Sequence, residues 1–195
     1  TLVELVISIG IFALMTGVLL SKYGNFNQGV ILTNLAYDIA LAIRTSQSYG
    51  INVKSAPTSS ANYSNSFQYG YGMHFSTLND TEKKKMTFFV DKSPVDKVYN
   101  KPDDDDTPSS GESITEYSVK RGLKINKLCV GADISTCIAV TSMDVMFLRP
   151  DPNAIITANG NGGTTYSYAY IEILSPDGTS KKIEVRKTGQ IEITD

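Results

Sequence analysis

Sixteen residues from Leu5 to Leu20 read LVISIGIFALMTGVLL without a charge, and one acid, Glu4, stands at their head. As a helix, the run from Leu2 onward is long enough to cross a hydrocarbon core of about 30 Å, and Lys22 closes it at an interface-like position. A secretory signal would instead show a positive leading region, a shorter apolar core and a small-residue cleavage site. This chain opens on TLVE, so the segment is expected to be retained behind a cleavage already made. The rest of the chain lives in a different solvent. Residues 1–53 hold four charged side chains (Glu4, Lys22, Asp38, Arg44) and residues 54–195 hold thirty-four.

An acid inside an apolar span costs roughly 2.5–3.5 kcal/mol at mid-bilayer and less near an end. Two readings of Glu4 stand. It is an interfacial acid stabilising the helix N-terminus through the macrodipole, or it is the partner of a cation inside a helix bundle, such as the amino group of a neighbouring copy. Gly10, Gly17 and Gly24 recur every seventh residue with Ala13 and Ser21 nearby, a stripe along which backbones can approach closely.

Thr1-Leu2-Val3-Glu4-Leu5 followed by this apolar run resembles the mature N-terminus of type IV pilins and type II secretion pseudopilins. In that family a phenylalanine normally precedes the motif; it is absent from this chain. The resemblance implies a leader removed by a prepilin peptidase, an N-methylated terminus, and a glutamate that neutralises the amino terminus of an adjacent subunit as a filament grows. That last role falls on Glu4. Leu35–Arg44, leading through Tyr49-Gly50-Ile51, resembles the second half of the same helix in minor pilins and H-type pseudopilins. The resemblance covers residues 1–53.

Gly24–Gly29 is polar and glycine-containing, a place where a helix weakens, bends or unwinds. Helical periodicity then resumes through Leu32, Leu35, Ile39, Ala42 and Ile43, with Asn34, Asp38 and Thr45 on another face and Gly50 as the expected stop. A helix over residues 1–49 would be about 74 Å long, so half of it must protrude from a head of this size. Strands are expected at 51–54, 67–76, 86–91, 114–120, 123–130, 138–148, 166–174, 181–187 and 190–194, paired antiparallel. The polar stretches 55–66, 92–112 and 151–165 read as surface loops.

The expected architecture is α+β and pilin-like, with a long protruding N-terminal helix packed by its second half on an antiparallel sheet. Residues 1–24 form the transmembrane or filament-core half. Residues 25–195 form the head, with an amphipathic half-helix at 30–49 and a β-rich part at 51–195.

Cys129 and Cys137 are the only cysteines, and they flank a Gly-Ala-Asp-Ile-Ser turn. An oxidising location favours a disulfide closing that short hairpin. His74 has no metal-ligand companion and reads as a packed or surface histidine. Asp103–Asp106 offers hard oxygen ligands, but without EF-hand spacing it reads as a solvated acidic loop rather than a calcium site. Gly160-Asn161-Gly162-Gly163 lacks a Walker ending and reads as a flexible loop. No catalytic constellation is marked, and neither enzyme activity, cofactor nor metal is expected.

Lys83-Lys84-Lys85 and the group Lys181, Lys182, Arg186 and Lys187 are basic spots in a chain of net charge −2. They read as lysine-protected strand edges, with DNA binding as the sharper alternative if aromatics such as Phe67, Tyr69 and Tyr71 adjoin them. The net charge itself argues against nucleic-acid binding by bulk charge, so nucleic acid is a partner without support beyond these groups.

By resemblance, the expected function is that of a structural subunit of a type IV pilus or related filament. Glu4, Leu5, Gly10, Ala13 and Gly17 would be its assembly residues, and copies of itself, other pilins and inner-membrane assembly machinery its partners. It would sit single-pass in a bacterial inner membrane before assembly and in an extracellular filament or periplasmic pseudopilus afterwards. An adhesive or DNA-binding minor pilin and a bitopic membrane-anchored extracellular domain are the alternatives.

Overall fold

The computed structural model describes residues 1–52, 69–92, 95–101 and 112–194, with side chains not described at 21–26. Helix α1 runs from Leu2 to Ile51, straight through the glycine-containing stretch expected to weaken it. Its second half behaves as the apolar spacing requires. Leu32, Ala36, Ile39, Ala42, Ile43 and Ser46 are buried, while Tyr37, Asp38, Leu41 and Arg44 face outward. Ala36 belongs to this stripe, and Leu35 lies half-buried at its margin. The Ser46 hydroxyl donates to the Ile43 carbonyl at 2.7 Å, so the one polar side chain in the stripe is satisfied.

Two antiparallel sheets, rather than the single one expected, pack on this stripe. The first is ordered β3 (Ser113–Ser118), β2 (Lys85–Asp91), β1 (Gly70–Ser76), β6 (Ser142–Leu148), β7 (Asp151–Ala158), β8 (Asn161–Tyr166). The second is ordered β11 (Ile191–Thr194), β10 (Ser180–Arg186), β9 (Tyr168–Leu174), β4 (Lys124–Gly131), β5 (Ile138–Val140). Helix α1 touches β1, β6 and β7 of one sheet and β9, β10 and β11 of the other, and one contiguous core joins all three layers. The fold is α+β.

Three expectations are corrected. The run 138–148 is two strands, because the chain changes sheets at Thr141. Its N–H and hydroxyl both donate to Asn159 Oδ1 at 3.0 Å, and its carbonyl accepts from Thr77 N–H at 2.7 Å. Residues 151–165 are a hairpin, not a loop. Asn159 (φ 52°) and Gly160 (φ 70°) make a turn with two left-handed residues, and Ala154, Ile156 and Ala158 alternate into the core on β7. The region 51–54 begins as the helix end, with Ile51 helical and Asn52 N–H bonding the Ser48 carbonyl at 3.1 Å; residues 53–54 lie outside the described residues. So do Phe67, the loop 55–66 and Asp103–Asp106. The hairpin at the C-terminus follows its alternation: Ile183 faces Ile193 and Val185 faces Ile191.

Gly50 does not stop the helix. It lets α1 approach β6 so closely that an added Cβ would overlap the Phe147 carbonyl, while its own carbonyl accepts from Arg149 N–H at 3.2 Å. Gly29, by contrast, has nothing within 4 Å of an added Cβ. The same substitution should therefore act with opposite sign. Gly50→Ala is expected to destabilise by about 1–3 kcal/mol through overpacking, and Gly29→Ala to stabilise by up to about 1 kcal/mol through helix propensity. Urea unfolding of the full chain in detergent, compared by midpoint, measures both.

Candidate functional site

Among the described residues, nothing packs over the first half of α1 up to Leu20. From Leu2 to Leu20 it is long and apolar enough to span a membrane, and none of it is buried against the head. Leu2 is 81% exposed, Phe12 71% and Leu19 72%. Polar groups inside the segment are satisfied locally. The Ser8 hydroxyl donates to the Glu4 carbonyl and the Thr16 hydroxyl to the Phe12 carbonyl, each at 2.8 Å. Thr1 caps the helix, and its ammonium contacts Glu4 Oε2 at 2.8 Å.

The five residues expected to drive assembly do not share a side. At about 100° per residue, Leu5 lies about 100° around the helix from Glu4, and Gly10, Ala13 and Gly17 lie about 120–180° away from it. Gly10 and Gly17 are bare, with nothing within 4 Å of an added Cβ. The segment therefore offers two different surfaces. One carries an acid, and the other is flattened by small residues for close backbone approach.

Cys129 and Cys137 form the disulfide, Cα atoms 5.7 Å apart, joining β4 to the residue before β5. Asp133 organises the bridged turn by accepting the N–H groups of Ser135 and Thr136, both at 2.9 Å, and the Ser135 hydroxyl at 2.7 Å; the hydroxyl bond from Ser135 first, then the Thr136 N–H and hydroxyl, hold its carboxyl below the usual range. The bridge packs on Tyr168 and Tyr170.

The basic groups are not one patch. Lys83 pairs with Asp80 at 3.3 Å, and Lys85 with Glu116 at 3.3 Å and Glu82 at 3.5 Å. On β10, Lys182 and Arg186 face outward over the rings of Tyr170 and Tyr168, whereas Lys181 and Lys187 belong to the opposite strand face. Glu184 stands between Lys182 and Arg186 and breaks their charge. Of the aromatics named from sequence, Tyr69 and Tyr71 lie elsewhere, and Phe67 is outside the described residues. Tyr71 is buried against Tyr49 and Phe88, and Tyr69 packs on the core.

A polar layer behind the first sheet was not foreseen. The face of β1, β2 and β6 turned away from α1 carries His74, Thr87, Asp91 and Asp144, all but His74 buried. His74 stands opposite Asp144 in register, and its Nδ1 lies 2.6 Å from Asp144 Oδ1, with the ring against Tyr99. His74 also lines an open cleft of about 270 Å³ with Lys85, Tyr99 and Glu116. Over this face passes the segment 95–101, fastened by two buried carboxylates. Asp91 accepts from Asp96 N–H at 3.2 Å and Lys97 N–H at 3.0 Å. Glu112 accepts from Lys92 N–H at 3.0 Å and Asn100 N–H at 2.7 Å. Among the described residues no group of three or more acidic, histidine or cysteine side chains is placed to hold a metal. The sequence signal was alternation: Asp144 stands between the core residues Met143 and Val145 and Asp91 follows the core residue Val90, so both fall on the face opposite the core.

No protein-family model, curated protein or solved structure matches the chain.

Burial, opposed by the backbone N–H groups, pushes Glu112 up to about 7 and Asp91 up to about 6, with neighbouring acids adding to the rise. Each group binds its proton more tightly folded than unfolded, so the folded state gains stability as pH falls from 8 to 5 and loses it as pH rises. The acids held low, Asp133 and Asp177, act in the opposite sense and only at lower pH. The urea midpoint is expected to be higher at pH 5 than at pH 8, and Glu112→Gln to flatten that difference.

Proposed function

We propose that the chain is the structural subunit of a helical, pilus-like filament of the type IV pilin kind, held in a membrane by Leu2–Leu20 before assembly and polymerising through that same segment. The observation that carries this reading is a single unbroken helix, one half bare and apolar and the other half the core of a folded head. A plain anchor needs only apolar length. It does not need an acid at the head of the span on one side and bare glycines on another.

Two unlike surfaces on one rod suit head-to-tail contacts, in which each copy meets its neighbours through different faces and the assembly does not close. Leaving the bilayer, the apolar half exchanges lipid for other copies of itself, and Gly10, Ala13 and Gly17 let those backbones come close. Glu4 then takes a cation from a neighbouring copy, which lipid does not offer. The resemblance at Thr1–Leu5 attaches the same role to this position. The work of extraction falls to separate inner-membrane machinery. The finished filament would stand outside the cell or in the periplasm.

Electron microscopy of filaments sheared from cells producing the chain, with mass spectrometry of their main component, tests the proposal. Wild-type chain is expected in the filaments. Glu4→Ala is expected to leave the amount in the membrane fraction unchanged and cut filament yield about ten-fold or more, as when an interaction of about 1.4 kcal/mol is lost. Unchanged assembly would remove the role given to Glu4, and wild-type cells without filaments would favour an ordinary bitopic anchor.

A further inference from the structure

Three turns gather at the end of the head from which the bare half of α1 departs. The carbonyl of Lys84, in the short helical turn Glu82–Lys84, accepts from Val119 N–H at 2.7 Å, tying that turn to the one between β3 and β4. Gly122 of the second turn packs on Pro176 of the third, where an added Cβ would lie 2.9 Å from the proline ring. The Ser175 hydroxyl then meets Gln28 Oε1 at 3.2 Å, on the helix itself. Thr179 and Lys181 flank Gly29 and Val30, and Lys120 and Arg121 flank Ile31 and Asn34. The second and third turns thus flank the helix just above the apolar span, and the first is tied to them, a basic collar at this end of the head.

The collar is basic although the chain as a whole has net charge −2. It carries Lys84, Lys120, Arg121, Lys124 and Lys181. The first four make no ion pair among the described residues. The acids at this end are mostly engaged: Asp80 with Lys83, Glu82 and Glu116 with Lys85, and the Asp177 carboxylate with Thr179 N–H at 2.9 Å. Asp38 on the helix beside Lys120 and Arg121 and Asp177 in the third turn, whose N–H partner is neutral, are the exposed acids at this end that no lysine pairs among the described residues.

Distance decides what such a collar meets. Lys181 flanks the helix at Gly29, a rise of about 14 Å beyond Leu20, and Lys120 and Arg121 flank it at Ile31 and Asn34, about 17–21 Å beyond Leu20. The headgroup layer beyond the hydrocarbon edge is about 5–8 Å deep, and the field of its charges reaches about 8 Å further at physiological salt. A helix tilt of about 20°, ordinary for a single span, lowers one side of the collar by about 5 Å, toward that layer and within reach of its field.

We infer that this collar is a docking surface for anionic lipid headgroups, on which the head leans while the span is in the bilayer. The inference rests on the reading that Leu2–Leu20 lies in a membrane. Cations from separate parts of the chain converge on the side of the head that faces the bilayer, where tilt and long side chains bring them into the field of the phosphodiester groups, and each cation held at that surface is worth about a five-fold change in occupancy.

The full chain is placed in nanodiscs of phosphatidylcholine, or of phosphatidylcholine with a third replaced by phosphatidylglycerol. A water-soluble amine-acylating reagent is added, and modified lysines are read by mass spectrometry. Acylation of Lys84, Lys120 and Lys124 is expected to slow about five-fold or more in the anionic discs at low salt, recovering at high salt, while Lys187 at the other end of β10 reacts equally in both. The exposed pair Lys120→Glu with Arg121→Glu is expected to abolish the protection of Lys84. Equal rates in both discs, with the chain retained in them, would overturn the collar alone. A chain that does not enter either disc would overturn the membrane-spanning reading and this inference with it. Stronger protection by added duplex DNA in zwitterionic discs than by anionic lipid would overturn it in favour of a nucleic-acid surface.

Discussion

The packing of Leu32, Ala36, Ile39 and Ile43 against both sheets is the contact on which the architecture depends, because among the described residues neither sheet has another partner for its whole apolar face. β1 and β6 offer Tyr71, Met73, Val145 and Phe147 to that stripe, and β9 and β10 offer Ile171, Ile173, Ile183 and Val185. A sheet with one unburied apolar face is unstable alone, and two such faces converge on one helix. The small residues Ala36 and Ala42 and the bare Cα of Gly50 keep the approach close, so the stripe works by shape as much as by area.

The central strands β1, β2 and β6 of the first sheet are buried on both faces, and the two faces are solved by different chemistry. Toward α1 it is apolar. Away from α1 it must hold down a stretch without regular structure, whose backbone N–H groups need acceptors once water is excluded. Asp91 and Glu112 supply two acceptors each. Holding charge there is costly, which is why burial drives both carboxyls toward neutrality while the N–H groups pull them back. His74 and Asp144 satisfy each other on the same face, so no unpaired polar side chain is left at that pair.

Much of this was legible where one rule acts alone. The apolar run, the 3.6-residue stripe after residue 30, the cysteine pair and the alternation of Ile183, Val185, Ile191 and Ile193 each answer to a single local requirement. The β7–β8 hairpin was missed because β8, Asn-Gly-Gly-Thr-Thr-Tyr, is an edge strand with little to bury, and its composition is that of a loop. The break at Thr141 was missed because it is made by Asn159, a partner eighteen residues away. Gly50 was read as a terminator from its position, whereas its role is set by Phe147, across a tertiary contact that local sequence does not display. The acid layer depended on register between three strands. For the bare helix, the residues were legible individually, and only their angular separation on a continuous rod divides them into two surfaces.

The unbroken hydrogen-bond ladder of α1 also makes it a mechanical member. A pull along the axis of the bare half is delivered directly to the buried half, where it acts as shear on side chains interlocked with two sheets at once. Tension is thereby spread over the whole stripe from Leu32 to Gly50 instead of peeling one strand at a time. The segment between the two halves, with Gly24 and Gly29, is the compliant element in that line of force. Under any axial pull that segment carries the same tension as the interlocked stripe and lengthens more than it.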